Sequence, residues 1–381
     1  MATVNRRSVR IYLFLFIMVL SCSCRQDKTI NWEAVPKVGK TSTVLLHPEL
    51  ERVKLDSVYS SGSGETRTKN GHIYFLDNHY HYLYLFGGDG SYLSKHLGLG
   101  RGPNETLIKK GRGFDVIVNG NVAIPGSDGD FEIFNASKNY AVSRFRLPYY
   151  PNETDPTKFS TYTYCWGNFI FRMDDRFLYI ALYNEKKEFN YYDQRTVFLD
   201  KVRHVARIDQ KNGQVDELII KGFPEIYHQE PDKLFSVNAI NFDLAESGFI
   251  VNFEASPIMY KCDLKGIPRY SFGESGRDID TNWEKVPSFS PEGIQIYGKN
   301  RQRAGRYAWI EYVEETDVLC RSYIKGAAED TDGLQVYVGT TLVADIDVPK
   351  GMKVSGYIEP YYYSQVVEED EQLVIYRFKL Q

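Results

Sequence analysis

From Val44 to the end of the chain, apolar and polar residues alternate in short runs, and Gly-Asp, Asn-Gly and Lys-Gly pairs punctuate them. A period of two sends successive side chains to opposite faces of an extended backbone, so each run predicts a strand with one face in a core. No stretch sustains the 3.6-residue period of a long amphipathic helix, and the 29 Tyr and 22 Phe suit pleated, half-buried surfaces. The pattern predicts an all-β domain over residues 44–381.

Five runs read as hairpins. Leu83-Tyr84-Leu85-Phe86 enters Gly87-Gly88-Asp89-Gly90 and returns through Tyr92 and Leu93. Phe131, Ile133 and Phe134 enter Asn135 to Asn139 and return through Val142 and Phe145. Val205 and Ile208 lead to Asp209–Gly213 and back through Val215 and Leu218; Ile258 and Tyr260 lead to Asp263–Gly266; Val343 and Ile346 lead to Asp347–Gly351. Gly closes four of these turns and Asn139 the other, because the position needs φ > 0, which Gly adopts freely and Asn tolerates.

One unit repeats in register. Tyr84, Gly90 and Gly100-Arg101 are matched by Tyr260, Gly266 and Gly276-Arg277, each displaced by 176 residues. A repeated β-hairpin unit points to a radial array, and the fold expected is a six-bladed β-propeller. The sixth blade would draw strands from Gly356-Tyr357-Ile358, Ser364–Val367 and Leu373–Phe378, with Leu50–Leu55 from the other end of the chain completing the sheet. Strands from both chain ends in one sheet close the ring and remove exposed edges. The largest insertion, Asn184 to Arg203, is expected as a charged loop or β-extension in the third blade.

The first 43 residues break the strand pattern. Arg6, Arg7 and Arg10 precede the unbroken apolar run Ile11–Leu20, which ends at Ser21-Cys22. A bilayer-spanning helix needs about 20 apolar residues, so this run reads as a signal peptide over residues 1–21. Val19-Leu20-Ser21-Cys22 is similar to a bacterial lipobox, in which the cysteine thiol is acylated and the chain cut before it. Cys24 is the alternative, but the residues before it lack the apolar side chain expected three positions upstream. Residues 22–43, polar from Ser23 to Lys40, are expected as a lipidated tether that holds the domain at a membrane. Ser23 follows the lipidated cysteine where an inner-membrane retention signal would carry Asp, which favours the outer membrane of a bacterial cell envelope.

Composition narrows the partners. Hydrophobic residues at 43% supply a sizeable core, while a net charge of −4 with 25% charged residues offers no basic field for nucleic acid. Cys24, Cys165, Cys262 and Cys320 lie far apart with no C-x-x-C pair, so neither a zinc knuckle nor a redox motif is present and buried free thiols are expected.

Ile73-Tyr74-Phe75-Leu76-Asp77, the hairpin after it, and Gly98-Leu99-Gly100-Arg101-Gly102-Pro103-Asn104-Glu105 resemble the six-bladed propeller lipoproteins of Gram-negative gut bacteria, relatives of NHL-repeat propellers. Asn104 stands where that family often has Gly. The resemblance implies a fold and an address. It implies no activity, since the family has none assigned.

Catalytic patterns are sparse. His72, His79 and His81 cluster, but Asn78-His79-Tyr80-His81 reads better as a polar loop than as a metal site. Asp128-Gly129-Asp130 lacks the further ligands of a calcium loop, and Asp174-Asp175 on a strand would point to opposite faces; both are expected as turns. No G-x-S-x-G elbow and no H-E-x-x-H helix occurs, and Gly98-x-Gly100-x-Gly102 precedes strands where a dinucleotide site needs a helix. No cofactor is expected.

Binding is the reading that remains. Arg101, Asn104 and Glu105, with Arg277 and Asp278 in the matching position, fall in connections between blades; arginine forks suit carboxylates or sugar acids. Trp166, Tyr361, Tyr362 and Tyr363 could stack on sugar rings or peptide groups. Arg101 and Arg277 are expected to flank the mouth of a central channel, with blade-to-blade struts as the competing role. The expectation is a non-enzymatic envelope module for a glycan, peptide or partner protein, with a lyase or hydrolase built from channel residues as the alternative.

Overall fold

The chain is organised as successive antiparallel meanders. In the computed structural model, residues 30–380 are described except 103–104, 109–112, 118, 127–128, 137, 139, 149–152, 164–169, 185, 187–188, 193–194, 289 and 370–371. Cys22, Cys24, Asn104, Asp128, Asn139, Cys165 and Trp166 lie outside the described residues. Two short strands, β1 (Lys40–Thr41) and β2 (Glu51–Lys54), precede the first meander of β3 (Gly64–Lys69), β4 (His72–Asp77), β5 (Tyr82–Phe86) and β6 (Tyr92–Leu97). The second holds β7 (Asp115–Val116), β8 (Asn121–Pro125), β9 (Asp130–Asn135) and β10 (Tyr140–Arg146); the third holds β11 (Phe171–Met173), β12 (Phe177–Ala181), β13 (Arg203–Asp209) and β14 (Val215–Lys221). The fourth holds β15 (Ile240–Ala245), β16 (Gly248–Phe253), β17 (Met259–Cys262) and β18 (Pro268–Phe272), and the fifth β19 (Ala304–Val313), β20 (Val318–Gly326), β21 (Asp332–Val338) and β22 (Thr341–Val348). Last come β23 (Val354–Ile358), β24 (Tyr361–Ser364), β25 (Val367–Glu369) and β26 (Gln372–Phe378).

Such four-stranded meanders are the repeating unit of a β-propeller. The first strands of the sheets neighbour one another: β3 with β7, β7 with β11, β11 with β15, β15 with β19, β19 with β23, and β23 with β3. At the last junction Gly356 pairs in parallel with Thr68, and a Cβ on Gly356 would lie 2.0 Å from the Thr68 carbonyl oxygen, so only glycine admits the approach. The N-terminal β2 pairs antiparallel with β26, Glu51 opposite Arg377 and Lys54 opposite Val374, in the order β2-β26-β24-β23.

The 176-residue match falls on equivalent positions. Tyr84 and Tyr260 sit on the third strands of the first and fourth sheets, and Gly90 (φ 89°) and Gly266 (φ 73°) close the same turn, donating to the carbonyls of Gly87 and Asp263. Four of the five expected hairpins join third and fourth strands of their sheets. The fifth does not form. Asp347–Gly351 connects β22 to β23, which pair in different sheets, and the hairpin at that level is β21–β22 around Gly339. Gly351 has the same positive φ (76°) as the hairpin glycines, so the local signal is identical whether the following strand folds back or departs.

Three further departures concern the insertions and the N-terminal segment. The Asn184–Arg203 stretch carries a helix, Arg195–Lys201, with Phe198 and Leu199 buried, in place of a β-extension. A 13-residue helix, Pro291–Arg303, is capped by Ser290, whose side chain accepts from Gly293 N–H; it buries only Gly293 and Asn300, so no apolar stripe announced it. The stretch expected as a tether is packed from Trp32, which is 1% exposed within the largest core cluster, between the third and fourth sheets. Cys262 and Cys320 are buried free thiols.

Candidate functional site on the axis of the sheets

The first strands carry charge where a buried strand would be apolar. In β3 the period of two sets Glu65, Arg67 and Lys69 on one face; β11 contributes Arg172, β15 contributes Asn241 and Asp243, and β19 contributes Trp309 and Glu311. These faces meet. Arg172 Nε donates to Asp243 Oδ1 at 2.5 Å and its Nη2 to Glu311 Oε2 at 3.2 Å, with both partners almost fully buried. Arg67 lies 3.6 Å from Asp115 and, through Nη1, 3.6 Å from Glu311. The guanidinium groups of Arg67 and Arg172 and the Lys353 ammonium stand 5.1, 5.0 and 5.2 Å from the centre of the Trp309 ring, within cation–π range.

The same side chains tie neighbouring first strands together. Arg67 Nε donates to the Phe114 carbonyl and Met173 N–H to Asp115, while Arg172 reaches past β15 to the Ile310 carbonyl of β19. Asn241 donates to the Tyr307 carbonyl, Asp243 accepts from Tyr312 N–H, and Trp309 Nε1 donates to the Val354 carbonyl. Ser355 and Thr68 hydroxyls meet at 2.9 Å across the last junction. Backbone groups on the inner edge of a sheet have no strand partner, and these contacts supply one.

Burial dominates the electrostatics. It pushes the Glu311 carboxyl up to about 7, helped by repulsion from Asp243 and opposed by Arg172 and Arg67. Glu65 is raised by burial against the pull of Arg67 and Lys353, and Lys353 is lowered by burial, with Glu65 opposing and Arg67 and Arg306 adding to the shift. Glu65 and Lys353 are part-exposed as residues, while burial of their charged ends drives both shifts. Arg67 Nη1 and Arg306 Nε are buried and make no hydrogen bond among the described residues.

The residues singled out from sequence lie elsewhere. Arg101 is exposed in the connection after β6, while Glu105 folds back to accept from Gly102 N–H at 2.7 Å, and its carbonyl accepts from Arg144. Arg277, in the equivalent connection after β18, donates to Asp347 at 2.6 Å and lies 3.6 Å from Asp278; Lys325 joins both acids at 2.6 and 3.7 Å. Arg277 and Asp278 thus couple the fourth-to-fifth connection to β20 and β22. Tyr361 lies under the Arg377 guanidinium at 4.0 Å; Tyr362 and Tyr363 are buried, stacked on Phe378 and donating to the Gly88 carbonyl respectively. His79 is exposed beside Asp77, whose buried carboxylate accepts five hydrogen bonds from residues 60–61 and 79–80 and is held low by them despite its burial. Asp174 accepts from Arg176 and Phe177 N–H, as a turn residue. Among the described residues no three metal-ligating side chains gather, and no helix is long and apolar enough to cross a membrane. Sequence reasoning missed the axial set, though a signal existed: its charged members are embedded in strand runs, as in Phe171-Arg172-Met173 and Trp309-Ile310-Glu311-Tyr312.

No family model and no curated protein matches the chain. Among solved structures, a member of the DUF4221 family from Bacteroides vulgatus is similar at a TM-score of 0.61 and 15% identity, over 88% of this chain and 98% of that one. This likeness shows a shared fold and nothing of activity. The β-propeller domain of Myceliophteria thermophila Cps50 aligns at a TM-score of 0.42 and 7% identity over 87% of this chain and 100% of that one, too distant to bear on either.

Proposed function

We propose that the chain is a six-bladed β-propeller lipoprotein of the bacterial cell envelope, acylated at Cys22, that acts as a binding module at one end of its axis. Six blades are supported by the cycle of first-strand neighbours and by the shared sheet of β2 and β26. The lipid and the address rest on the charged start, the short apolar run and Val19-Leu20-Ser21-Cys22.

One observation carries the binding reading: Lys353 and Glu65, both part-exposed residues, flank Trp309 together with Arg67 and Arg306, whose buried Nη1 and Nε lie 3.6 and 3.8 Å from the carboxylates of Glu311 and Glu254 and make no hydrogen bond among the described residues. A buried donor left unmade costs about 1–3 kcal/mol, which an oxygen of an entering acidic group recovers. The ligand class is an acidic glycan or peptide. Isothermal titration with an oligogalacturonate and with oligoglutamate, against neutral oligogalactose, tests this. An acidic probe is expected to bind, and Lys353→Met to weaken it at least tenfold with little change in melting temperature; unaltered binding by that variant refutes the axial site.

The enzymatic alternative is favoured by one feature, the oppositely shifted carboxyl of Glu65 and ammonium of Lys353, which act on each other at the same end of the axis. It requires cleavage of the bound probe that Glu65→Gln abolishes.

A further inference from the structure

The N-terminal segment is a strap built into the fold, which limits how far the domain can stand from a lipid on Cys22. Trp32 packs edge-on against Phe253 and Tyr260, with ring centres 5.1 and 4.8 Å away, and its Nε1 donates to the Lys221 carbonyl. Asn31 caps the turn by accepting from Glu33 and Ala34 N–H, and Glu33 accepts from Glu225 N–H at 2.7 Å. The chain then runs along the sheet edges. Ser271 N–H donates to the Pro36 carbonyl and Val38 N–H to the Ser271 carbonyl, both at 2.9 Å. β1 pairs in parallel with β22, and Ser42 and Leu46 N–H reach the Leu342 and Val343 carbonyls. Successive attachments thus fix residues 31–46 across the fourth and fifth sheets.

The consequence is one of reach. Cys22 and Asn31 are nine peptide steps apart in the sequence. At no more than about 3.6 Å per step, whatever path is taken, the lipidated residue lies within about 32 Å of the Trp32 cleft. A tether reaching to Val44 would allow about 80 Å. A compact domain of roughly 350 residues has a radius of gyration near 20 Å and a breadth of about 50 Å. The shorter limit is less than that breadth; the longer exceeds it.

We infer that the membrane surface is the partner of the Trp32 edge: the domain is held with the cleft between its third and fourth sheets toward the lipid, and with the rim of the first sheet, three positions round the ring from the fourth, turned away. The inference rests on the proposed acylation of Cys22 and the proposed six-bladed ring. The strap face suits such a neighbour, with Val38 46% exposed beside the exposed Lys37 and Lys40.

Energy transfer to the bilayer tests the orientation. The acylated full chain, purified from bacterial membranes, is reconstituted into phosphatidylethanolamine–phosphatidylglycerol vesicles bearing a rhodamine head-group acceptor. The donor is placed at Glu225→Cys, beside the strap, or at Leu93→Cys, on the outer strand of the first sheet, both in a Cys24→Ser, Cys165→Ser background; Cys262 and Cys320 are buried and left in place. Transfer is expected to be at least twofold more efficient from position 225 than from position 93. A 20-residue Gly-Ser insertion between residues 29 and 30, which leaves the strap intact, is expected to bring the two toward equality. Equal transfer from both positions without the insertion, in protein that floats with the vesicles, overturns the orientation alone. Failure of the chain to float, or flotation undiminished in Cys22→Ala, overturns the anchoring and the orientation with it.

Discussion

Replacing Arg172 by Met is the most direct test of what the axial charges do. The substitution keeps an unbranched apolar stem but removes the donors to Asp243, to Glu311 and to the Phe171 and Ile310 carbonyls. Two carboxylates that are almost fully buried then face each other with Arg67 as the remaining nearby guanidinium. Breaking a buried pair by deleting one partner costs about 3–5 kcal/mol, because the other charge stays desolvated. With an unfolding entropy of about 2.1 cal/mol/K per residue over roughly 350 residues, that loss lowers the melting temperature by about 4–7 °C. The deficit must also depend on pH. Glu311 sits near 7 with Arg172 present, above its ordinary 4.5, so the folded form holds its proton more tightly than the unfolded chain, and its contribution to stability falls as pH rises from about 4.5 through 7. Without Arg172, the strongest influence lowering it, Glu311 moves higher still and is neutral at pH 5.5. Urea denaturation followed by tryptophan fluorescence should therefore show the full deficit at pH 8 and a clearly smaller one at pH 5.5. A deficit that is equal at the two pH values, or below about 1 kcal/mol at pH 8, refutes the account of a buried, charge-balanced axis.

Trp32→Ala empties a buried aromatic site and should cost about 3–5 kcal/mol. It should also release the strap backbone around the exposed Lys37 and Lys40 for cleavage by trypsin, and an unchanged digestion pattern would show that the strap is held without its tryptophan. Removing residues 371–381 deletes β26, which pairs with β2, β24 and β25, and leaves strand edges open. Aggregation by light scattering is expected, and a monomer with an unchanged melting curve would contradict the importance of that sheet.

Period-two alternation and glycine turns are local properties, so the strand content, four hairpins and the equivalence of Gly90 with Gly266 were all legible in the chain. They depend only on side chains a few residues apart and on a φ that few residues adopt. The same locality explains the failure at Asp347–Gly351: a glycine states that the backbone reverses, not which sheet the next strand joins. Trp32 stands in a polar stretch, and its burial depends on Phe253 and Tyr260, more than 200 positions away. The charges of β3, β11, β15 and β19 were visible as interruptions of strand runs, yet Arg172 finds Asp243 and Glu311 at separations of 71 and 139 residues. Pairing at that distance is set by the order in which sheets pack, because only assembly brings the first strands together and excludes the water that would otherwise screen each charge. The sequence by itself determined the kind of strand and the turn; the tertiary structure alone decided which strands are neighbours, and therefore which charges are buried together.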